Sequence, residues 1–409
     1  MKRKRNRIRI YLMGLLLLGL LWFFSVQNIY AGKVSFEENN TEAEDNSSLE
    51  TAEKEAELEL EHYLWEQLSR YDLKEVQRSF EELFPGFSID TQQLLSLILD
   101  GEFFLAGDLF LQAVRKGFTG ELTGVREVLV SILVVGIVSA LFSNFSDLFS
   151  GKQVSQVGYY FLYLLLMAVL TRAFISATEL AVSTMENTVL FVKMFIPTWM
   201  LTVGATGSGQ SAAFYYQVML IAVYLVESFL LNVLVPFVLC YVVLALLTGI
   251  WAEERLTLLL ELLKKGIIFA QKLTMGAITG LSLVQSLILP VADRLKISAL
   301  RKVVTAIPGI GNMTDGVTEL VIGSAVLIKN SMGILLLFLL LAVCLVPLLK
   351  LFVVGGIIKL GAALSGVVSD KRIAGCADKV GEGCFLLLRC LFTSVTLFLI
   401  VIAVVAYSL

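Results

Sequence analysis

The sequence predicts an all-α protein: a polytopic transmembrane helical bundle with an N-terminal signal segment and a small helical exported region. Three observations predict it. Of the 409 residues, 57% are hydrophobic and only 16% charged, whereas soluble globular domains carry about a quarter charged residues. The apolar residues gather into runs close to the roughly 20 needed to cross a hydrocarbon core of about 30 Å. Charge is also divided along the chain. Residues 34–125 hold 21 acidic and 6 basic side chains, and residues from Arg126 onward hold 14 and 19. An acidic, water-exposed segment is therefore followed by a membrane domain whose short loops are mildly basic, the bias expected of loops that face the cytoplasm. A soluble fold is excluded, because its core would have almost no polar surface to cover it. The domains read as 1–31 (signal peptide or anchor), 32–125 (acidic exported segment with short amphipathic helices) and 126–409 (membrane domain with about six to eight spans and interrupted helices).

The N-terminus places six Lys/Arg before an apolar stretch from Ile10 to Val26, the charged and apolar regions of a secretory signal. Two outcomes fit: a cut after Ala31, with Ile29 a poor residue at the −3 position, or an uncut anchor. Either way the basic end stays in the cytoplasm and the chain from Val34 is exported. The Glu-rich part that follows is too polar to build a core. Ser47-Ser48-Leu49-Glu50 resembles a capping box, which starts a helix by satisfying its first amides. Leu60, Leu64 and Leu68 continue it as an apolar stripe. After Pro85-Gly86, Asp90 caps a short helix through Leu94, Leu95 and Ile98, and Gly101 ends it. Up to Gly124 the pattern is of short amphipathic helices beside the membrane, packed on the membrane domain or on partners.

Val128–Phe149 and Val157–Ala177 read as spans. From Glu179 to Ser211 the pattern is less regular, with Glu186, Lys193, Pro197 and the small-residue run Gly204–Gly209. It reads as an amphipathic or re-entrant segment, since broken backbone at membrane depth needs cover from protein or water. Ala212–Ile250 is too long for one ordinary span, and Asn232 and Pro236 divide it into two helices or a span plus a half-helix. Trp251–Lys265 reads as an interfacial amphipathic helix. Gly266–Pro290 is a span whose Gly276 and Gly280 have the spacing that lets helix backbones approach. After the polar stretch Val291–Asn330, Gly333–Leu349 spans again. Lys350–Val368 is a short span or interfacial helix, Ser369–Glu382 a charged loop, and Cys384–Ser408 the last span.

Little in the chain carries reaction chemistry. Gly204–Ser211 has the spacing of a phosphate-binding loop, but Gln210 stands where the lysine belongs and no strand precedes it. The one histidine, His62, rules out a Ser–His pair or a multi-His metal site within the membrane domain. Asp108 and Asp293 lack the paired carboxylates of an aspartyl protease. The five cysteines form no CxxC pair. No catalytic, cofactor or metal residues are expected, nor is nucleic-acid binding, since no basic patch is interleaved with aromatics. The remaining candidates are charged and special residues in apolar surroundings: Glu227, Lys193, Arg172, Asp293, Pro308, Lys329 and Asn330, with Glu186, Lys350 and Arg389 as lesser ones. A charge at a lipid-facing helix centre costs a few kcal/mol, so these residues turn to the interior, a cavity or the interface. Glu227 lies deepest. It reads either as an ion-coupling or pore group, or as one half of an ion pair with a neighbouring helix.

Between Val291 and Gly333 a set of residues resembles the signature region of the stage III sporulation protein AE family of endospore-forming bacteria. The set is Ala292-Asp293, Ile307-Pro308 followed by Gly309 and Gly311, Asp315, Gly323-Ser324, and Lys329-Asn330 with Gly333. The resemblance extends to the signal, to ILDGE at 98–102 and to IPTWMLTVGATGSGQSAAF at 196–214, and is least in the acidic linker before Tyr63. It implies a component of the set of stage III sporulation proteins AA to AH, made in the mother cell. With stage II sporulation protein Q from the forespore, that set builds a channel across the two membranes around the engulfed forespore. The chain would then sit as a multi-pass protein in the mother-cell membrane facing the forespore, in contact with those partners and the lipid bilayer, as assembly platform or permease-like conduit. The family supplies no catalytic residues to carry over. Two other readings stand beside it. One is a stand-alone secondary transporter with a site near Glu227 and Gly204–Gly209; the other, a membrane enzyme, lacks any acid, base and nucleophile set.

Overall fold

The computed structural model describes residues 73–84, 89–119, 152–203, 209–248, 255–304, 315–368 and 371–407, with short pieces between 130 and 138; for parts of these helices, 281–304 and 315–329 among them, the backbone alone is described. The signal segment, the acidic linker, nearly all of the expected Val128–Phe149 span, Gly204–Ser208 and Pro308 lie outside the described residues. So do the side chains of Asp293 and Lys329. The described residues are helical throughout apart from short connections. In chain order the helices are α1 (Leu73–Leu83), α2 (Thr91–Leu99), α3 (Phe103–Thr119), α4 (Lys152–Val203), α5 (Gly209–Phe229), α6 (Val235–Leu247), α7 (Arg255–Val304), α8 (Asp315–Val368) and α9 (Lys371–Tyr407). Among the described residues, four stretches are long and apolar enough to cross a membrane: Tyr160–Phe195, Leu220–Leu247, Asn330–Gly366 and Arg372–Ile402.

Several expected interruptions are absent. α4 runs unbroken from Lys152 to Val203, so Glu179–Val203 continues the preceding span rather than forming a re-entrant segment. The polar residues that suggested a break lie on the outside of the helix, where they cost the backbone ladder nothing. α5 and α6 are one continuous rod joined by a π-turn at Leu230–Leu234, in which the Val235 amide reaches back to the Leu230 carbonyl. That turn explains how Pro236 fits in a span. Proline has no amide to donate and its ring crowds the carbonyl four residues back, and a local widening of the helix relieves both. The expected division of Ala212–Ile250 is therefore a bulge.

α8 likewise joins the two stretches expected on either side of Lys350, and α7 absorbs most of the expected interfacial helix before Gly266. The charged loop expected at Ser369–Glu382 is instead the first turns of α9, which begins at Lys371. Its charges are compatible with helix because partners on other helices meet them.

α8 and α9 form the central hairpin, with α4 packed against both and α6 and α7 closing around α9. Inside a bilayer, lipid tails are as apolar as leucine, so helices associate through close packing and interhelical hydrogen bonds. The close approaches here are at glycine. A Cβ on Gly383 of α9 would stand 2.2 Å from Val242 Cγ2 and 3.1 Å from Phe174 Cε2, and one on Gly381 would stand 2.7 Å from Lys359 Cγ. Gly276 and Gly280, which carry the expected close-packing spacing, have open space around them among the described residues.

The short helices follow the expected pattern more closely. Asp90 Oδ1 accepts from the Gln92 and Gln93 amides at 2.9 and 3.1 Å, capping α2. Gly101 adopts φ +74°, the left-handed turn that ends it. Gln77 ties α1 to the start of α2, donating to the Ile89 carbonyl and accepting from the Thr91 amide, both at 2.9 Å. Phe80 of α1 and Phe84 just after it meet Phe191 of α4 edge to face, and Asn187 Nδ2 donates to the Leu83 carbonyl at 2.9 Å. α2 and α3 pack on α8, where Phe110 meets Phe338. The amphipathic helices thus dock on the bundle at one end. Phe103, Phe104, Leu105 and Leu111 stay exposed.

Candidate functional site

Two polar features run along this apolar bundle, one inside and one outside.

The inner one follows a single face of α9, where Glu382, Leu386, Cys390 and Ser394 recur every four residues and so stack in one row. At one end Glu382 Oε2 accepts from Tyr241 Oη at 2.9 Å and pairs with Lys264 at 2.6 Å, while Lys359 pairs with Asp378 at 2.6 Å and lies 4.0 Å from Glu382. α6, α7, α8 and α9 are all joined there. Further along, Gln271 Nε2 donates to the Leu386 carbonyl at 3.0 Å and to Cys390 Sγ at 3.1 Å. Beyond that, Ser394 Oγ donates to Glu227 Oε1. From Glu382 to Ser394 the row spans about 18 Å at 1.5 Å rise per residue.

Glu227 is 3% exposed, and its second carboxyl oxygen, like Gln271 Oε1, has no partner among the described residues. Its electrostatic neighbours are the Cys344 and Cys390 thiols. The ion pair that one sequence reading gave Glu227 is not formed among the described residues; a hydroxyl meets it instead. All five cysteines are free thiols, Cys240 exposed and the other four buried.

The outer feature is a charged stripe on α4. Arg172, Glu179, Glu186 and Lys193 recur every seven residues, on one helix face, and all four are exposed. Ser176 and Ser183 are exposed beside them. Leu164, Ala168, Thr171, Arg172, Ile175 and Glu179 line a groove on this face. The stripe reaches the depth of the bundle rather than its rim. At one end of the bundle the Tyr163 hydroxyl bridges the Leu246 carbonyl and Cys376 Sγ. Further along, inside the spans, Thr188 meets Cys344, itself an electrostatic neighbour of Glu227. Arg172 and Glu179 fall between these two levels. A charged side chain facing lipid at such depth costs about 2.5–3.5 kcal/mol on insertion scales.

Among the described side chains, the expected candidates do not gather into one site. Glu227 points inward, while Arg172 and Lys193 point outward on another helix. Asn330 is exposed at the start of its span. Asp293 and Lys329 are described only as backbone positions in α7 and α8, and Pro308 is outside the description. Two features went unread in the sequence. Glu179 completes the stripe, and the constant seven-residue interval from Arg172 to Lys193 was the signal for it. Glu382 and Lys264 were placed in a loop and an interfacial helix, and only their meeting in space shows that they form an internal lock.

The architecture defines an all-helical membrane protein with several spans and two polar tracks. Comparison with known proteins narrows the class. A family profile described as Stage III sporulation protein AE matches residues 89–408, and the chain belongs to that family. The Stage III sporulation protein AE of Bacillus subtilis (strain 168) is 22% identical over 285 residues, covering 69% of this chain and 71% of that protein. No solved structure matches the chain. Membership assigns it a role in sporulation.

Proposed function

We propose that this protein is a membrane component of the mother cell–forespore channel complex needed for endospore formation. There it acts as assembly platform and contributes to a permease-like conduit, with other stage III sporulation proteins and stage II sporulation protein Q as partners. The observation that carries the reading is the family match over residues 89–408, on a chain whose described residues include four helices long and apolar enough to cross a membrane.

Charge supports an orientation for it. The end of the bundle away from α1–α3 holds Lys264, Lys265, Lys359, Arg372 and Lys379 against Glu261, Asp378 and Glu382. Excess Lys/Arg marks the cytoplasmic side. The acidic N-terminal region, with α1–α3 docked at the other end, then faces the space between the two membranes, where partners sit. A strain lacking the gene is expected to stop after engulfment without making spores; normal spore yield in that strain overturns the proposal.

One observation favours a second reading, the stand-alone secondary transporter. Glu227 is buried with one carboxyl oxygen that has no partner among the described residues, an acceptor open to a coupling cation. Solute uptake by the purified protein in liposomes, abolished by Glu227→Gln, is its signature.

A further inference from the structure

The geometry points to the outward face of α4, from Arg172 to Lys193, as the wall of a water-filled path through the membrane that further protein completes. The inference rests on the conduit reading above and names the surface that serves it. The four charged residues share one face and all are exposed, with Ser176 and Ser183 exposed among them. The outward residues of two other crossing helices differ, while the fourth, Arg372–Ile402, exposes Arg372 and Asp378 near its start. Leu220–Leu247 presents Ile221, Tyr224, Leu225, Phe237 and Val243, and Asn330–Gly366 presents Leu349, Phe352, Leu360 and Leu364. Neither exposes a charge along its length. Those faces suit acyl chains; the α4 face, which also exposes Leu164, Ile175 and Leu190, does not along the stripe, because Arg172 and Glu179 lie between the Tyr163 and Thr188 levels, within the depth of the bundle.

Water is the occupant the charges favour. Copies of one chain arranged around an axis along the membrane normal bring identical residues to one level. The stripe would then oppose Arg172 to Arg172 and Glu179 to Glu179. Like charges repel in a dry contact and are tolerated as rings around a wet lumen, an arrangement that channels use to select ions. The order along the stripe, positive, negative, negative, positive, makes the central part of the lumen acidic. Small hydrophilic solutes and cations are the class it admits.

The test is thiol accessibility in membranes from sporulating cells, in a Cys240→Ser background. Cysteines are introduced one at a time at Arg172, Glu179 and Glu186 on the stripe, and at Leu225 and Phe352 on the apolar faces. A charged, membrane-impermeant thiosulfonate is applied from either side, and an apolar maleimide in parallel. A thiol reacts as its thiolate, which forms in water and not in hydrocarbon, so the stripe positions are expected to react with the charged reagent on the order of tenfold faster than Leu225→Cys or Phe352→Cys. Charged-reagent rates at the stripe equal to those at Leu225→Cys, with rapid maleimide labelling, identify a lipid face and overturn the inference. Failure of the stripe to react with either reagent identifies dry protein packing and overturns it too. If Glu179→Cys does not accumulate, Arg172→Cys and Glu186→Cys carry the same comparison. The outcomes separate from those of the channel proposal. Normal sporulation without the gene sinks that proposal, whereas an unreactive stripe in a strain that needs the gene sinks the present inference alone.

Discussion

The outward face of α4 and the outward face of the α5–α6 rod belong to membrane-crossing helices that follow one another in the chain, yet they are built for different surroundings. The α5–α6 rod turns Glu227 inward to Ser394 and shows aliphatic and aromatic side chains to the outside. α4 does the reverse. Its inward face carries no charge, with Leu166, Leu170, Phe174, Ala181 and Met185 buried beside Thr178, Thr184 and Thr188, and its charges point out. The outward face of α4 also carries Phe161, Leu164, Leu165, Ile175 and Leu190, so the charges form a stripe within a largely apolar surface. In a bilayer that stripe is left for something other than lipid, because hydrocarbon offers a charge no partner. Which way a helix turns its polar residues is thus more informative here than how many it has.

The comparison can be sharpened from the inside first. Gly383→Leu forces a side chain into Val242 and Phe174, where even a Cβ has no room. We expect a loss of about 3 kcal/mol or more, read as failure to purify a monodisperse protein in detergent. Next is the lipid-facing surface. Leu225→Asp, on an apolar outward face, should cost about 2.5–3.5 kcal/mol of insertion free energy and lower the inserted fraction, measured by alkaline extraction of membranes. An equal yield from this variant would mean that the α5–α6 face is not lipid-facing, and would dissolve the contrast.

The internal lock comes third. Lys264→Ala leaves Glu382 with Tyr241 and the longer Lys359 contact and should lower stability by about 1–2 kcal/mol, seen as a lower thermal midpoint in detergent. Asn187→Ala removes the bond to the Leu83 carbonyl and should cost about 1 kcal/mol, seen as faster proteolysis within α1–α2 while the spans stay protected. Smallest is the outer stripe. Glu179→Leu should leave the stability of the isolated chain within about 0.5 kcal/mol of the parent, because its side chain is exposed. A marked fall in the thermal midpoint there would show that the stripe is covered by the chain itself.

Much of the fold is legible in the order of the residues. Long apolar runs, the acidic segment ahead of them and the Asp90–Gly101 signals for a short helix all follow from local chemistry, and each is seen where it falls within the described residues. The misread places share a cause. Pro236, Lys350, the charges of Ser369–Glu382 and the polar residues after Glu179 look like breaks when each is judged by its neighbours in sequence. A π-turn absorbs Pro236, Lys264 and Lys359 meet the charges of α9, and an outward face takes the α4 charges. The family resemblance is legible too, through Ala292-Asp293, Ile307-Pro308 and Lys329-Asn330, although these residues are not where the described polar contacts lie.

By itself the sequence determined that this chain enters a membrane, how much of it is apolar enough to stay there, and to which sporulation family it belongs. Those properties depend on composition and order, which are complete in one dimension. Tertiary structure alone decided that Glu382 is locked by three helices, that Glu227 faces Ser394 with one oxygen left over, and that Arg172, Glu179, Glu186 and Lys193 form one exposed track. The physical reason is that a charge in a low-dielectric medium is governed by what stands a few ångströms away. Along α9 and α4 those neighbours come from helices distant in the chain, or from outside it.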